Sequence, residues 1–414
     1  MLCLSLFARR RCVGAAGGPP TGLRRDGAPV HPIHTGMRRA VCAVLALAAR
    51  AAAQGCDTFR IYLNDDLCAL DVARFSIAPP NWTVTGRSSC LPGANYSAWN
   101  QGVWPYITDA GVAVAGGVPQ AANLTLHLAT IRATLRNLVP DFPAFHGNVV
   151  IDMEYWLPAL ADSAPAYRNL SAALVRAAHP QWNDTRVAAE AAREFGAAAI
   201  DWLEATLREY AALMPAARVG FYGYPRNWYY PCAADHNASQ CGYDNPDFGP
   251  GARAANDALA RVFAASSALY PSTYLPAHGN SSAFIPHHRE YVANVTAEAA
   301  RLRDAYAPGA PVLPFAWSFY HDGHTILTPA DAAIELAAPP LNGADGVVLW
   351  GAAAYYNETA ALESYLNATL GPLAAETVAS TCACAAQRCS GKGACTPQGG
   401  CRCLPGFSGP ACAG

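Results

Sequence analysis

The chain has 414 residues, of which 52% are hydrophobic and 14% are charged, and its formal net charge is -2 at pH 7. This length leaves room for one large catalytic domain and a small second module, since a single α/β barrel takes about 250 residues or more. The near-neutral charge and the lack of a basic run after residue 53 give no support to binding of nucleic acid or another polyanion by bulk electrostatics.

The N-terminal segment has the features of a secretory leader. Met37-Arg38-Arg39 precedes an uncharged apolar run from Ala40 to Ala49, and Ala51-Ala52-Ala53 supplies small residues for cleavage. This run is too short to span a bilayer. We therefore expect residues 1–53 to be a leader, with the true start at Met37 and cleavage near Ala53, and we expect no membrane span in the rest of the chain.

Glycosylation signals and cysteines indicate the secretory pathway. Twelve of the 15 cysteines lie after residue 53, an even number that suits disulfides in an oxidising compartment. Ten sequons of the form N-x-S/T argue for a glycoprotein that is secreted or lysosomal. They begin at Asn81, Asn95, Asn123, Asn169, Asn183, Asn237, Asn280, Asn294, Asn357 and Asn367.

Strand and helix candidates alternate from Phe59 onward. Asp184 is the expected N-cap of the longest helix. Repeated strand and helix over roughly 300 residues predict parallel strands with covering helices, and a closed, distorted (β/α) barrel of the α/β class is the simplest such fold. The strand candidates are 59–63, 103–107, 148–154, 219–224, 272–277, 312–319 and 346–350, and the helix candidates are 120–138, 164–178, 184–214, 253–268, 287–306 and 355–370.

The stretch from Asn148 to Pro158 carries an apolar strand into two carboxylates, Asp152 and Glu154. The period of two along a strand predicts that Asp152, Glu154 and Trp156 share one face. Buried carboxylates about 7 Å apart along a strand cannot both ionise cheaply, so one should keep its proton and serve as a general acid. A solvated turn and a hard-cation site are the alternatives.

A metal site is the weaker interpretation of these acidic residues and of a nearby histidine pair. Neither Asp152 with Glu154 nor His321 with His324 supplies enough ligands by itself. We expect no metal and no cofactor.

Candidate substrate-binding residues follow from the barrel, in which functional residues lie at the C-terminal ends of the strands. Each aromatic residue alone would more often be part of the core, but their joint placement favours a site that stacks on a ligand ring. Glu154 shares this position with Tyr222, Tyr274 and Trp350, and Tyr106 is counted with the substrate-binding set.

The composition changes sharply at Thr381. Residues 381–414, here called the C-terminal module, are rich in Cys, Gly and Pro and have too few aliphatic side chains to form a core without cross-links. We expect a catalytic domain over residues 54–380 and a separate module over 381–414. Spacing alone leaves fifteen connectivities for its six cysteines. A zinc site is disfavoured because the paired C-x-x-C knuckles are lacking.

Six motifs, in this order, resemble the successive motifs of the hyaluronidases. The resemblance covers the chain from about Phe59 to the C-terminus, where the cysteine pattern is similar to an EGF-like module. The motifs are Gly117-Val118-Pro119-Gln120, Val150-Ile151-Asp152-Met153-Glu154-Tyr155-Trp156, Ala178-His179-Pro180-Gln181-Trp182, Gly220-Phe221-Tyr222-Gly223-Tyr224-Pro225, Ala268-Leu269-Tyr270-Pro271-Ser272-Thr273-Tyr274-Leu275-Pro276 and Gly346-Val347-Val348-Leu349-Trp350.

The resemblance implies a retaining, endo-acting hydrolase of β-1,4 N-acetylhexosaminide bonds in glycosaminoglycans such as hyaluronan or chondroitin. Glu154 would be the acid and later the base, and the substrate's acetamido oxygen would be the nucleophile, an exception to the two-carboxylate scheme. Asp152 would orient the acetamido group and keep Glu154 protonated. Tyr222 and Tyr274 would hold the acetamido group, and Trp350 would wall the same subsite.

The chain departs from the family pattern at two positions in this stretch. Met153 replaces an aromatic residue and faces away from the acids, which is a tolerable apolar exchange. Leu157 replaces an arginine that would pair with a substrate uronate, a charge-assisted contact that no leucine makes. Affinity for hyaluronan is therefore the open question, and the hydrolytic residues are intact.

Disulfide pairs are likewise implied by the resemblance. In the C-terminal module it implies Cys384 with Cys395, Cys389 with Cys401, and Cys403 with Cys412. Cys232 and Cys241 are expected to close a loop beside the groove. Pairing among the remaining four stays open, at Cys56, Cys68, Cys90 and Cys382.

The alternative function is a secreted barrel that binds glycans without cleaving them, with the C-terminal module mediating adhesion to a protein partner. The intact set of acids and tyrosines favours the enzyme.

Overall fold

The computed structural model describes twelve stretches of the chain, and the statements below refer to them. The leader predicted over residues 1–53 and the cysteines Cys56, Cys68, Cys90, Cys232 and Cys241 lie outside them. The described residues are 58–64, 77–78, 82–84, 95–99, 101–138, 142–226, 242–275, 284–321, 325–350, 359–396, 398–404 and 406–414.

Parallel strands form two four-stranded sheets, with strand orders β2-β1-β10-β9 and β3-β4-β7-β8. All pairings within these two sheets are parallel. Strands β7 and β10 are buried except at their last residue and have apolar central residues, as expected for parallel strands covered on both faces. The strands are β1 (Arg60–Asn64), β2 (Ile77–Ala78), β3 (Trp82–Val84), β4 (Asn95–Trp99), β5 (Tyr106–Ile107), β6 (Ala113–Val114), β7 (Asn148–Asp152), β8 (Arg218–Phe221), β9 (Phe315–Trp317), β10 (Gly346–Trp350), β11 (Gly393–Cys395) and β12 (Cys401–Cys403).

Residues 269–274 join the two sheets into one barrel wall. Parallel bridges connect this segment to Tyr222 on one side and to Val312 and Phe315 on the other. The predicted strand 272–277 is therefore replaced by isolated bridges over 269–272. Pro271 explains the interruption, since it has no N–H to donate to a ladder, although its carbonyl accepts from Phe315 N at 2.8 Å.

Other strand predictions also differ from the structure. The barrel strand before β7 is β4, in a region that the sequence pattern treats as turns because it contains Pro79-Pro80 and Pro92-Gly93. The candidate 103–107 keeps only β5, which pairs antiparallel with β6 away from the two sheets. Strand β7 ends at Asp152, two residues earlier than predicted.

Helices lie between the strands and cover the barrel. The N-cap of the 30-residue helix α3 is Asn183, not the predicted Asp184: its side chain accepts from Arg186 N at 2.9 Å. The predicted helix 253–268 is two shorter helices, and the helix predicted over 355–370 continues through a π-helical turn at Leu366–Leu370 into another helix. The helices are α1 (Leu124–Leu138), α2 (Pro165–Ala178), α3 (Asp184–Leu213), α4 (Gly249–Asp257), α5 (Ala260–Ala265), α6 (Phe284–Tyr306), α7 (Pro329–Leu341), α8 (Thr359–Tyr365) and α9 (Gly371–Arg388).

The core has three parts. One packs α1, α2 and α3 against the outer face of β7 and β8, and a second packs α6, α7 and α9 against β1 and β10. The third fills the barrel interior with residues such as Tyr62, Val150 and Tyr270, and it ends at Tyr274 and Trp317. In the part of the chain that is described, no helix has the length and hydropathy needed to cross a membrane.

The C-terminal module is held by disulfides and is continuous with the barrel. The disulfides are Cys384–Cys395, Cys389–Cys401 and Cys403–Cys412, the pairs that the EGF-like pattern implies. Cys382 is also disulfide-bonded. Helix α9 runs across the boundary proposed at residues 380 and 381. Strands β11 and β12 form an antiparallel pair, and Arg402 on β12 forms an ion pair with Asp345 of the barrel.

Candidate active site

The two acids lie where β7 ends. Asp152 is the last residue of the strand and is half-buried, whereas Glu154 lies beyond it and is exposed. Burial, and then the neighbouring Glu154, raises the pKa of Asp152 from 3.8 to about 7. Desolvation by the surrounding protein raises the pKa of Glu154 as well. The pair therefore holds a proton in acid solution, with Glu154 accessible to a ligand.

Trp156 does not share the face of the acids, in contrast to the prediction. It is 1% exposed, belongs to the core cluster of Ile151 and Met153, and donates its indole N–H to the carbonyl of Pro105 at 2.9 Å. The prediction was wrong because β7 ends at Asp152, and the period of two does not continue past the end of a strand.

Tyr222 and Tyr274 form the side of the site next to the acids. Their ring centroids are 6.0 Å apart, and the Tyr222 hydroxyl donates to Ser272 Oγ at 3.2 Å. Burial raises the pKa of both phenols, with smaller contributions from Asp152, so both are neutral hydrogen-bond donors. The effect of Asp152 on both groups reflects their proximity to the carboxylate pair.

Trp350 and Trp317 continue this aromatic wall. Trp350 ends β10 and stacks on Tyr274, with centroids 5.8 Å apart and planes at 28°. Trp317 ends β9 and contacts Trp350 edge to face at 4.9 Å and Tyr274 at 5.6 Å. His321 lies 6.3 Å from both Tyr274 and Trp317. Trp317 and His321 are additional residues of this wall. A sequence signal for Trp317 exists, because the period of two along the predicted strand 312–319 places it on the same face as Phe315.

Tyr106 lies beside the segment that follows Glu154. It is half-buried on β5 and stacks on Tyr155, the residue that follows Glu154. Its ring contact is thus with the residue after Glu154, whereas Tyr222 and Trp350 each contact Tyr274.

Glu335 is a buried acid behind the aromatic wall. It projects from α7, is 1% exposed, and its Oε2 accepts from the backbone N–H of Trp317 at 2.8 Å. Burial raises the pKa of Glu335 well above its usual value, so the carboxyl group is neutral over a wide pH range. No sequence signal marks it, because it meets Trp317 only through the packing of α7 on β9.

Leu157 lies in a loop that is tied down by one side chain. Its N–H donates to Ser163 Oγ, and the same hydroxyl donates to the Leu157 carbonyl, both at 3.0 Å. The backbone at the position of the expected arginine is thus fixed, and the leucine side chain, which is half-buried, offers no charge.

No group of three or more His, Cys, Asp or Glu residues with metal-site geometry occurs in the described stretches. His324, one member of the weaker metal hypothesis, lies outside them.

Comparisons with known proteins agree with this geometry. Residues 70–400 match the sequence profile of glycoside hydrolase family 56, described as hyaluronidase. Human hyaluronidase-1 is 34% identical over 340 residues, which cover 79% of this chain and 73% of the human protein. The hyaluronidase of Apis mellifera is 35% identical over 269 residues, covering 63% of this chain and 67% of the bee protein.

A solved hyaluronidase structure is also similar to this chain. The crystal structure of bee venom hyaluronidase in complex with a hyaluronic acid tetramer superposes with a TM-score of 0.65 at 30% sequence identity. The match covers 76% of this chain and 98% of the bee protein chain.

Proposed function

Because the chain belongs to the hyaluronidase family and is a glycoside hydrolase, we propose that it cleaves β-1,4 N-acetylhexosaminide bonds inside hyaluronan or chondroitin chains with retention. The observation that carries the proposal is the acid pair Asp152 and Glu154, which shares a proton beside a wall of neutral phenols and indoles.

Glu154 is the proposed acid and base. It is the more exposed of the two carboxyl groups, and its raised pKa keeps it protonated when a glycosidic oxygen needs a proton. After the leaving group departs, the carboxylate takes a proton from the attacking water. The nucleophile in the first step is the acetamido oxygen of the substrate, so no second protein carboxylate attacks the sugar.

Asp152 is proposed to orient the acetamido group and to store the shared proton. Its Oδ1 is buried and has no hydrogen-bond partner among the described residues, and an acetamido N–H would satisfy such an acceptor. The charge that develops on the acetamido group in the transition state would also be balanced by an ionised Asp152.

Tyr222, Tyr274 and Trp350 are proposed to form the subsite that holds the N-acetylhexosamine. Two neutral phenols supply directed hydrogen bonds, and the stacked face of Trp350 on Tyr274 supplies the apolar wall. Tyr106 is proposed to contact the substrate through its position beside Tyr155.

Substrate choice is proposed to depend on Leu157. A leucine at this position makes no ion pair with a uronate carboxylate, so we expect weaker binding of hyaluronan than an arginine would give. The related bee venom enzyme was crystallised in complex with a hyaluronic acid tetramer, which makes hyaluronan one of two polymers to test.

The protein is proposed to act in the secretory pathway, as a secreted or lysosomal enzyme. Three disulfides in the C-terminal module support an oxidising compartment. The C-terminal module is proposed to be EGF-like, and its exposed surface is a candidate for contact with another protein.

The test is a reducing-end assay on hyaluronan and on chondroitin, run side by side from pH 3 to pH 8 with the purified full-length chain. Glu154→Gln should lower kcat by more than about 1000-fold and leave binding of the polymer within a few-fold, because the amide keeps the shape but cannot donate the proton. Glu194→Gln, an exchange on α3 at a side chain that is 39% exposed, is the matched control and should behave like the unaltered protein.

Binding of either polymer without turnover by the unaltered protein would instead support the non-catalytic alternative. Full activity of Glu154→Gln would show that the acid is another residue.

A further inference from the structure

A cavity lies at the opposite end of the barrel from the acids. Its volume is about 530 Å³, and it is bounded by the N-terminal ends of the strands and by the C-terminal module. Arg60 and Arg218 begin β1 and β8, whereas Asp152 and Trp350 end β7 and β10. With strands of five residues, this places the cavity on the order of 15 Å from the catalytic end.

The charged side chains around the cavity are mostly positive. Three arginines and one carboxylate line it: Arg60, Arg218, Arg402 and Asp345. Asp345 already accepts from Val312 N at 2.9 Å and forms ion pairs with Arg303 and Arg402. Its charge is thus shared among several donors, and the cavity keeps an excess of positive charge.

Arg218 is the key residue because it contacts no carboxylate within the described part of the chain. Its Nη1 donates to the Tyr62 hydroxyl at 2.8 Å, and its guanidinium lies 5.9 Å from the centre of the same ring. These neutral contacts orient the guanidinium without neutralising it. An orientated guanidinium presents paired N–H donors that match the two oxygens of a carboxylate or a sulfate.

The wall formed by the C-terminal module adds to the positive charge. Residues 381–414 contain Arg388, Lys392 and Arg402 and no Asp or Glu. Burial, and then the neighbouring Arg303, lowers the pKa of Arg402 to about 10, and Asp345 is the carboxylate partner of this arginine.

The cavity also has aromatic surface and a suitable size. Tyr62 and Phe407 line it, and Phe407 is 38% exposed with the Lys392 ammonium 4.9 Å from its ring centre. Aromatic faces next to cations suit the apolar face and the acidic group of a sugar. A volume of about 530 Å³ is enough for one or two sugar rings.

We propose that this cavity, formed by Arg60, Arg218 and Arg402 between the barrel and the C-terminal module, binds an oxyanion, carried either by an acidic saccharide or by a free inorganic ion. The site is separate from the catalytic residues and does not require that the proposed function is correct.

Calorimetric titration of the full-length Glu154→Gln protein at constant ionic strength tests the proposal, with sodium sulfate, sodium glucuronate and glucose, the neutral counterpart of glucuronate, as probes. We expect saturable binding of at least one anion and none of the neutral sugar. Tighter binding of glucuronate identifies an acidic saccharide as the ligand class, and equal or tighter binding of sulfate identifies a free ion. Absence of binding by both anions overturns the proposal, as does equal binding of the neutral sugar.

Variants locate the binding. Arg218→Gln should weaken anion binding at least tenfold, and Arg218→Lys, which keeps the charge but loses the paired donors, should weaken it by a smaller factor. Arg193→Gln removes an exposed arginine of α3 and should leave binding within twofold. If Arg218→Gln does not fold by circular dichroism, Arg60→Gln and Arg218→Lys decide the question. Unchanged affinity in the folded variants would place the anion elsewhere.

Discussion

Tyr106 and Tyr155 stack face to face, with ring centroids 4.4 Å apart and planes only 12° from parallel. The neighbouring residues are joined as well, because the indole of Trp156 donates to the carbonyl of Pro105. The short hairpin of β5 and β6 is thus attached at two points to the segment that follows Glu154.

This relationship predicts different effects for two exchanges at Tyr106. Tyr106→Ala removes the stack and should lower kcat/KM at least tenfold, since the support of the catalytic stretch is lost. Tyr106→Phe keeps the ring and should change kcat/KM by less than threefold unless the hydroxyl contacts the substrate. Steady-state kinetics on oligosaccharides would measure both, and equal losses in the two variants would assign the hydroxyl the larger role.

The buried carboxyl group of Asp152 predicts a pH-dependent cost to stability. Its pKa is about 7 in the folded protein and 3.8 ordinarily, so the folded state holds this proton more tightly. The contribution to stability is therefore full below about pH 4 and is lost as the pH rises through about 7. Asp152→Asn should therefore change the free energy of unfolding more favourably at pH 8 than at pH 4. The two changes, each relative to the unaltered protein, should differ by at most about 4 kcal/mol.

Denaturant unfolding at the two pH values would measure this difference, with Asp109→Asn, an exchange at an exposed position, as the control. A difference equal to that of the control would show that the pKa of Asp152 is not raised in the folded protein.

The same pair predicts the alkaline limb of activity. In the unaltered enzyme kcat should fall as the pH rises through about 7, because the shared proton is lost. In Asp152→Asn the carboxyl group of Glu154 titrates alone, and the limb should move to lower pH by at least one unit along with a decrease in kcat. A pH–rate profile of both proteins on one substrate would check this. An unchanged alkaline limb would show that Asp152 does not affect the titration of Glu154.

Asp345 is predicted to be the most important carboxylate for attachment of the C-terminal module. It forms ion pairs with Arg402 of the module and with Arg303, whose side chain is 4% exposed, and accepts from Val312 N. Asp345→Ala should lower the free energy of unfolding by about 3 kcal/mol, because a buried arginine loses a partner. Asp201→Ala removes one partner of an exposed ion pair and should cost less than about 1 kcal/mol. Similar losses in both variants would contradict this role.

Asn183 has two proposed roles that can be separated. It starts a sequon, and its side-chain oxygen caps α3 by accepting from Arg186 N. Asn183→Asp and Thr185→Ala should both prevent glycosylation and keep the cap, whereas Asn183→Ala should lose both and be less stable than either by about 1 kcal/mol. Mass spectrometry and thermal unfolding of protein from a glycosylating host would measure the two effects. Equal stability of all three variants would exclude the cap as a stabilising contact.

Local sequence signals correctly predict those elements in which the polarity of each residue matches its burial in the structure. Strand β10 has the predicted bounds because Val347, Val348 and Leu349 form an apolar run that is buried on both faces. The acid pair was also predictable, since Asp152 and Glu154 are close in sequence and follow such a strand.

Tertiary contacts determine the rest. Strand β4 contains Asn95 and Ser97, whose propensities oppose a strand, and it forms through pairing with β3 and β7. Glu335 reaches Trp317 only because α7 packs on β9. The face of Trp156 depended on where β7 ends, and the sequence pattern alone does not give that position.

Helix α9 enters the C-terminal module without a break, and this continuity fixes the rotational phase of the module relative to the barrel. Its first part packs in the barrel core through Ala374 and Val378, and its last turns carry Cys384 toward the disulfides. Because an α-helix turns by about 100° for each residue, one residue inserted near Ser380 would rotate everything beyond it by more than a quarter turn. Arg402 would then no longer face Asp345. The length of this helix therefore sets the orientation of the C-terminal module relative to the barrel.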